Sequence, residues 1–540
     1  MLLLLTILLL VVPNAEGILF LTGVSTMEDL DESTVERFES LRTHPLPLNS
    51  CGRSRLLSSG LLSRYQIASL LDYRSRCGDI LSFTELAAVD GFGPDYATAL
   101  KEFISLEPSH SKAGKDRLRQ TLMLRTYAKF PEGEDVGLCA GVKYRAEYAG
   151  LIELDISDRT TYSSPKPSWG TASLSLYGRR YPGKVIAGDY NARFGQGLLV
   201  WTGTTMSGVS SARALSRNGS GISPSRSFSP TLHGVAADYC AGRWMASAGF
   251  DRRMMGLANV SYTGRTWQAG LTGITSRERS ALSADCRIGF AGGAVFGEVA
   301  LENRAVAGVA GAFWIPVYGS MLSALVRAYP PAFPGTTAGA IRSSSKVSDE
   351  YGLSLAAQNP WGLVTLDASV HPEKSTQYYK VLTQVKKSYM LGSFEMTSSL
   401  RASERCSVPS GGKSLQWRGD FRTDVGLKAG GWNCALRFNA VHSKDWGLLA
   451  YGEAGWKGAI GEMPMELSTY ARSEWLRADN WDDRIYVYER DAPGSFNVPA
   501  YYGRGWNHSL FLGMKYRCHS LYLRASWRGR ELRLQYQLAL

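Results

Sequence analysis

Beyond its first residues, the 540-residue sequence contains no long apolar run. A transmembrane helix needs about 18 or more consecutive apolar residues, and no internal stretch approaches that length. The Cys-x-x-Cys, His-Glu-x-x-His and Gly-x-Ser-x-Gly motifs are also missing. These absences argue against a helical membrane protein, a zinc or thioredoxin-type site, a zinc protease and an α/β-hydrolase. We therefore predict no metal, no cofactor and no enzymatic activity.

The apolar start has the form of a secretory signal. Residues 1–12 are almost purely Leu, Ile and Val, and they precede Pro13 and the small-residue pattern Ala15-Glu16-Gly17. This pattern predicts a signal peptide over residues 1–17, although a positively charged first segment is lacking. No cysteine follows closely, so a lipoprotein anchor is not expected.

The eight cysteines carry little information about function. Cys51 and Cys77 flank one small helical unit, and they are either a disulfide bridge or two free thiols. The other cysteines are scattered singly and are expected to be small apolar fillers.

The last twenty residues show how most of the chain is built. From Leu521 to Trp527 apolar residues alternate with polar ones, and the alternation resumes from Leu532 to Leu540 after the turn Arg528-Gly529-Arg530. A period of two predicts strands with one apolar and one polar face. Strands of about ten residues with a charged polar face are typical of a transmembrane β-barrel, with lipid outside and water inside. We expect this turn at the periplasmic rim.

The same alternation begins at Leu118 and continues to the end, which predicts an antiparallel outer-membrane β-barrel over residues 118–540 with roughly 20 to 26 strands. Residues 202–233, 329–350 and 489–505 interrupt it as longer polar stretches. Long loops on one rim and short turns on the other are expected of such barrels. Some of these loops are expected to fold into the lumen as a plug.

Residues 27–106 have a different, helical composition. Ser33 to Glu36 and Ser63 to Gln66 match capping boxes, Asn49 is a candidate cap for a short helix, and Ser82 is a candidate cap for a third. Pro94 suits the first turn of a last helix, which we expect to run to about Ile104. Together these signals predict a small all-α domain of two helix-hairpin-helix units, followed by a linker at residues 107–117.

This domain resembles the helix-hairpin-helix module of the ComEA competence proteins. The resemblance lies in Leu48-Asn49-Ser50, Leu71 to Arg74, Gly78, Glu85-Leu86 and the two glycine hairpins. It implies binding of double-stranded DNA without sequence preference, because hairpin N–H groups at a helix N-terminus can bind phosphate oxygens. The candidate phosphate-binding residues are Gly60, Leu61, Leu62, Gly91, Phe92 and Gly93.

The charge of the domain favours a different use. Its basic and acidic residues balance, and the preceding segment adds six acidic residues, whereas nucleic-acid modules usually show a basic excess. The chain as a whole has a net charge of +12, so the excess positive charge belongs to the predicted barrel. Docking to periplasmic or envelope proteins therefore stays open as the alternative.

The whole chain resembles outer-membrane barrels of Gram-negative bacteria that carry an N-terminal ComEA-like module. The most specific residues of this resemblance are Gly188, Asp189, Tyr190, Phe194, Gly195, Gln196 and Gly197, to which we assign a structural role. For Gly195-Gln196-Gly197 we favour a kink at a barrel corner; a lumen constriction or close contact with a plug are the alternatives. The resemblance implies a barrel in contact with outer-membrane lipid and a helical domain in the periplasm.

Three functions are compatible with these patterns. The first is transport or tethering in DNA uptake. The second is a structural or interaction protein, in which the helical domain docks envelope proteins or gates the barrel. The third is a hydrolase whose site is assembled from distant barrel strands.

Overall fold

The computed structural model describes most of the chain, with residues 161 and 164–169 described by their backbone alone. The described residues are 15–109, 118–131, 133, 135–161, 164–178, 182–203, 208–226, 232–317, 319–410, 414–461 and 465–540. The predicted signal peptide lies outside them up to residue 14, and the predicted linker lies outside them from residue 110.

Six α-helices lie within the described residues, all before the barrel. They are α1 (Ala15–Thr22), α2 (Glu32–Thr43), α3 (Arg53–Ser58), α4 (Arg64–Cys77), α5 (Phe83–Ala88) and α6 (Gly93–Leu100). Two short strands, β1 (Leu46–Pro47) and β2 (Ile104–Ser105), pair in parallel and join the two ends of the helical domain. The pairing explains why the last helix stops at Leu100, since residues 104–105 are extended rather than helical.

Short helices fill most of residues 27–100, as predicted, with local corrections at their caps, whereas the helix-hairpin-helix assignment stays a prediction. Ser63 and Gln66 form the predicted capping box, and the Ser82 side chain caps α5. The cap of α2 is Asp31, whose carboxylate accepts the N–H of Thr34 at 2.9 Å, rather than the predicted box at Ser33. Asn49 caps no helix, because its fully buried amide bonds the backbone of Ile80.

The remaining strands form the barrel and the loops attached to it. They are β3 (Leu118–Lys129), β4 (Gly137–Tyr148), β5 (Ile152–Thr161), β6 (Ser164–Tyr177), β7 (Gly183–Arg193), β8 (Gly221–Pro224), β9 (Leu232–Ala241), β10 (Trp244–Asp251), β11 (Met255–Thr263), β12 (Trp267–Thr275), β13 (Ser280–Phe290), β14 (Gly293–Glu302), β15 (Ala305–Trp314), β16 (Met321–Tyr329), β17 (Glu350–Asn359), β18 (Gly362–His371), β19 (Thr376–Leu391), β20 (Phe394–Pro409), β21 (Gln416–Ala429), β22 (Trp432–His442), β23 (Trp446–Ala459), β24 (Met465–Ala478), β25 (Ile485–Tyr486), β26 (Ala500–Tyr501), β27 (Gly503–Tyr516), β28 (His519–Ser526) and β29 (Glu531–Ala539).

In the described part of the chain, 24 antiparallel strands close into one barrel, as predicted. The last strand, β29, pairs with the first, β3, from Glu531↔Lys129 to Ala539↔Thr121, and leaves no open edge there. Strand β8 pairs only with the end of β7 and belongs to an inserted loop. Strands β25 and β26 pair with each other within another loop.

The two faces of the wall have the polarity predicted for a membrane barrel. On β11, Asn259 points inward and is 1% exposed, whereas the neighbouring Val260 points outward and is 46% exposed. The same alternation recurs on β3, where Arg125 is buried and Leu124 is exposed. A water-soluble sheet would show the opposite arrangement, so the exposed apolar face is the one suited to lipid.

The two rims differ in the length of their connections. The longest connections join β7 to β9, β16 to β17 and β24 to β27, and the strands that they join meet them at the same rim. The opposite rim carries shorter turns, the first residue of β3 and the last residue of β29. The turn at Arg528-Gly529-Arg530 lies on the rim of the long connections, which corrects its predicted place, because β28 runs toward that rim.

Candidate functional site in the barrel lumen

The helical domain lies inside the barrel, against the inward-facing side of the wall. Cys240 and Met245 of β9 and β10 join the buried apolar core of the helices. His44, at the end of α2, bonds the Thr121 hydroxyl of β3 at 2.7 Å. The domain was predicted to sit in the periplasm; the structure instead inserts it into the lumen, because its polar surface finds partners on the inner wall.

The clearest contact is between Glu28 and two arginines of the wall. Its carboxylate lies 3.1 Å from Arg422 on β21 and 2.7 Å from Arg437 on β22. It also accepts the backbone N–H of Tyr488, from the third long connection, at 3.1 Å. Burial by itself would raise the pKa of Glu28, but Arg437 and Arg422 outweigh it and hold that pKa well below its usual range.

Three further contacts repeat this pairing of a polar or acidic helical domain with a basic wall. Asp29 lies 3.2 Å from Arg401 on β20. Glu36 pairs with Lys143 on β4, and Ser40 accepts a hydrogen bond from Arg145 on the same strand. The excess positive charge that the sequence places in the barrel is therefore used, in part, to hold the acidic segment before and within α2.

Helix α3 is fixed close to the rim of short turns. The Ser54 hydroxyl donates to Asp238 on β9 at 2.6 Å, and Lys184 on β7 pairs with the same carboxylate at 2.9 Å. Arg55 pairs with Glu147 on β4 and donates to the carbonyl of Gly150 at 3.0 Å. All these side chains are buried or nearly so, so the contact excludes water.

The first long connection fills the lumen from the opposite side. The backbone N–H groups of Gln196 and Leu198 donate to one carboxylate oxygen of Glu298 on β14, at 2.7 and 3.0 Å. Strand β7 ends at Arg193, so Gly195-Gln196-Gly197 is not a barrel-corner kink, and that interpretation is wrong. The residues form a turn of an inserted loop that touches the inner wall, which was the plug alternative.

The other two long connections also fold inward, as predicted. Trp201 donates its backbone N–H to Thr337 of the second connection at 2.8 Å, and Gly339 donates to Gly197 at 2.9 Å. In the third connection, Glu489 pairs with Arg524 on the inner face of β28. The described part of the lumen is thus occupied by helices from one side and three loops from the other.

Gly188, Asp189 and Tyr190 mark the point where β7 separates from β6 while it stays paired with β9. Gly188 has φ +102°, and a Cβ there would lie 2.1 Å from the Ala172 carbonyl oxygen. The Asp189 carboxylate replaces the missing strand partner by accepting the N–H of Ala172 at 2.7 Å. Tyr190 is fully buried. The structural role assigned to the three residues from the sequence stays a prediction.

The first predicted DNA-binding hairpin is packed away. Leu61 and Leu62 are 3% and 4% exposed, and the N–H of Leu61 is already taken by Ser59 at 3.2 Å. A Cβ on Gly60 would meet the guanidinium of Arg37 in α2. No open set of N–H groups faces solvent here, so this hairpin offers no phosphate site in the docked state.

The second predicted hairpin is more open but acidic. Gly91 is exposed, Phe92 is buried and Gly93 is intermediate, with exposed Asp90 and Asp95 on either side. Gln66 of the first unit donates to the Gly91 carbonyl at 2.8 Å, so the two hairpins lie side by side. Carboxylates beside the turn repel phosphate, and DNA binding stays a prediction.

Small polar cavities remain between the helices and the wall. One of about 100 Å³ lies between α2 and the inner faces of β3 to β5, and includes Glu36, His44 and Arg145. Within the described ranges no group of His, Cys, Asp or Glu side chains is placed to hold a metal ion. No helix in that part of the chain is long and apolar enough to cross a membrane. All eight cysteines are free, so Cys51 and Cys77 are not bridged.

Sequence reasoning found both partners of this site but did not join them. The sequence shows the acidic residues near α2 and the basic excess of the barrel, but it does not show that the two meet. The opposite net charges of the two parts were the signal that could have predicted docking. No sequence signal identified which strands carry the receiving arginines.

Comparison with known proteins gives similarity in fold alone. No protein-family model and no curated protein matches the sequence. Among solved structures, the P pilus usher (PapC) translocation pore aligns at TM-score 0.37 and 10% identity, over 78% of this chain and 99% of that chain. OccK2 (OpdF) of Pseudomonas aeruginosa in complex with glucuronate aligns at 0.31 and 10%, over 80% and 99%. OccAB3 of Acinetobacter baumannii aligns at 0.29 and 8%, over 78% and 99%. At such TM-scores the likeness carries no conclusion about function.

Proposed function

We propose that the protein is an outer-membrane channel that its own N-terminal helical domain and long connections hold closed. The exposed apolar outer face and the closed backbone pairing suit a barrel in lipid, where backbone groups must all be satisfied internally. The polar inner wall suits water and polar cargo. In this proposal the helical domain acts as a gate, and its departure opens one side of the lumen and frees the third long connection, which Glu28 holds at the backbone of Tyr488.

The observation that carries the proposal is the pairing of Glu28 and Asp29 with Arg401, Arg422 and Arg437. A purely structural plug needs only apolar packing. Here, partly buried ion pairs hold the segment that precedes α2. Removal of one partner from a fully buried ion pair costs about 3–5 kcal/mol. Such contacts give an all-or-none docking that a ligand or partner can break.

Single-channel recording in planar bilayers tests the gate. We expect the wild-type protein to be closed most of the time, and the double variant Glu28→Lys, Asp29→Lys to open frequently, because both charges would then repel the wall. The matched control is Asp90→Lys, an exposed acid of the second hairpin, which should behave as wild type. Equal conductance of the double variant and wild type, with both barrels folded, would refute the gate.

DNA uptake is the narrower form of this proposal. The helical domain is docked inside the barrel, so DNA binding by its hairpins requires release of the domain. A gel-shift assay at low salt, with the full chain in detergent, should then show duplex DNA bound by the Glu28→Lys, Asp29→Lys variant more strongly than by wild type. Absence of salt-sensitive binding by either protein removes DNA as the cargo but leaves the gated channel standing.

A further inference from the structure

The outer face of the barrel carries a groove between β21 and β28, below the rim of the long connections. Its volume is about 670 Å³, within the range of about 300–1,000 Å³ typical of small-molecule sites. The floor is made by small outward-facing residues on β22 to β24 and β28. These are Cys434, Gly452, Ala454, Ala471, Ser473 and Ala525.

Large apolar side chains form both walls of this groove. Leu427 and Leu436 stand on one side, and Leu510 and Trp527 stand on the other. Trp527 is 80% exposed. Because this face of the barrel is the one suited to lipid, the solvent that fills the groove is hydrocarbon rather than water.

Directly above the groove the wall becomes aromatic and then basic. Trp475 and Trp506 are cross-strand partners one step above Ser473 and His508, and Arg477 and Arg504 are partners at the next step. The rings of Trp506 and His508 are parallel within 4° at 6.2 Å. Tryptophan at this height is typical of the level of lipid headgroups.

The basic residues at this level exceed the acidic ones. Arg504 and Arg477 share one carboxylate, that of Asp479, at 2.5 and 3.7 Å. The guanidinium of Arg528 donates to the backbone carbonyls of Arg504 at 3.0 Å and Tyr502 at 2.9 Å. Two of these three guanidinium groups share the Asp479 carboxylate and the third contacts only carbonyls within the described residues, which leaves positive charge for an anionic headgroup.

We propose that this face binds one phosphorylated glycolipid of the outer leaflet, with hydrocarbon chain in the groove and phosphate at Arg477, Arg504 and Arg528. The apolar groove, the aromatic level and the basic level follow one another along the same strands, in the order of the hydrocarbon chain and the phosphorylated headgroup of such a lipid. The proposal rests on the outer-membrane placement proposed above, with the long connections outside the cell. It does not rest on the gate, since the groove lies on the opposite face of the wall.

Native mass spectrometry of the full chain in detergent tests the site, with lipid A as the anionic probe and phosphatidylethanolamine, a zwitterion of zero net charge, as the comparator. We expect one lipid A per barrel in wild type. The headgroup variant Arg477→Gln, Arg504→Gln, Arg528→Gln and the groove variant Gly452→Leu, Ala471→Leu should each bind at least about tenfold more weakly. The first removes charge-assisted hydrogen bonds to the phosphate, and the second fills the groove with side chains.

The matched control changes the same residue types on another sector of the same barrel. Arg252→Gln, Arg253→Gln with Ala248→Leu, on the outer side of β10 and its turn, should retain the wild-type stoichiometry. Equal binding by wild type and both site variants, equal retention of phosphatidylethanolamine, or no retained lipid would each overturn the proposal. Binding of a second copy of the chain at the groove, in place of lipid, would also overturn the proposal. Conductance should be unchanged in all of these variants, so a failed gate and a failed lipid site give different results.

Discussion

At the scale of single residues, a few positions decide where the wall ends and the lumen begins. Gly188 is one, because its left-handed backbone turns β7 away from β6 and brings it against the Ala172 carbonyl. Asp189 completes the change by offering a side-chain acceptor to the strand that has lost its backbone partner. The sequence marks these residues as a signature, but only the backbone geometry gives their role.

Gly188→Ala should destabilise the folded barrel strongly, because the new methyl group would lie 2.1 Å from a carbonyl oxygen. The control is Gly242→Ala in the β9–β10 turn, where φ is also positive but nothing lies within 4 Å of the Cβ. A left-handed alanine by itself costs about 1–2 kcal/mol. The midpoint of thermal unfolding in detergent should therefore fall clearly more for Gly188→Ala. Equal shifts for the two variants would contradict a packing role for Gly188.

At the scale of elements, α2 is the helix whose surroundings differ most from the prediction. Its cap is Asp31, two residues before the expected box, and Glu36, expected to serve that box, pairs with Lys143 of the wall instead. A capping box and a docking residue look alike in sequence. Tertiary contacts decided between them, because a buried carboxylate beside an ammonium gains more than a local bond at a helix end.

Docking of α2 should weaken as the pH falls from about 6.5 toward 4. Burial, and then Arg145 and Arg119, lower the pKa of His44 to about 4, although Glu147 and Glu153 act in the opposite sense. Released His44 gains a proton below about pH 6.5, whereas docked His44 stays neutral, so at pH 5 the docked state loses about 2 kcal/mol.

The measurement is open probability in bilayers at pH 7.5 and pH 5, comparing wild type with His44→Gln. Wild type should open more at pH 5, and the variant should lose most of that response. Burial raises the pKa of Glu39, so Glu39 strengthens docking as the pH falls. Both wild type and His44→Gln contain Glu39, so the difference between their pH responses reports on His44. A response of the same size in His44→Gln would show that another group carries the pH dependence.

At the scale of the whole molecule, polarity is inverted relative to a soluble protein. Apolar residues such as Val260 face outward and polar residues such as Asn259 face inward. This inversion leaves an inner wall that must be covered by water or by protein. The chain covers much of it with its own helices and long connections, whose charged groups match those of the wall. A closed resting state is the expected consequence.

The sequence by itself determined the local parts. A period of two from Leu118 onward dictated strands and the polarity of each face, since alternate side chains of a strand point to opposite sides. Caps such as Ser63 and stop signals such as Gly78 dictated helix ends, because these bonds join residues close in the chain.

Only the tertiary structure decided where those parts meet. Glu28 and Arg437 are 409 residues apart in the chain, and no local rule relates them. Their contact, and the contact of the Gln196 turn with Glu298, follow from barrel closure, which brings distant strands around one space. Closure sums many pairings, so no single stretch of the sequence shows that the helical domain would lie in the lumen beside the loops.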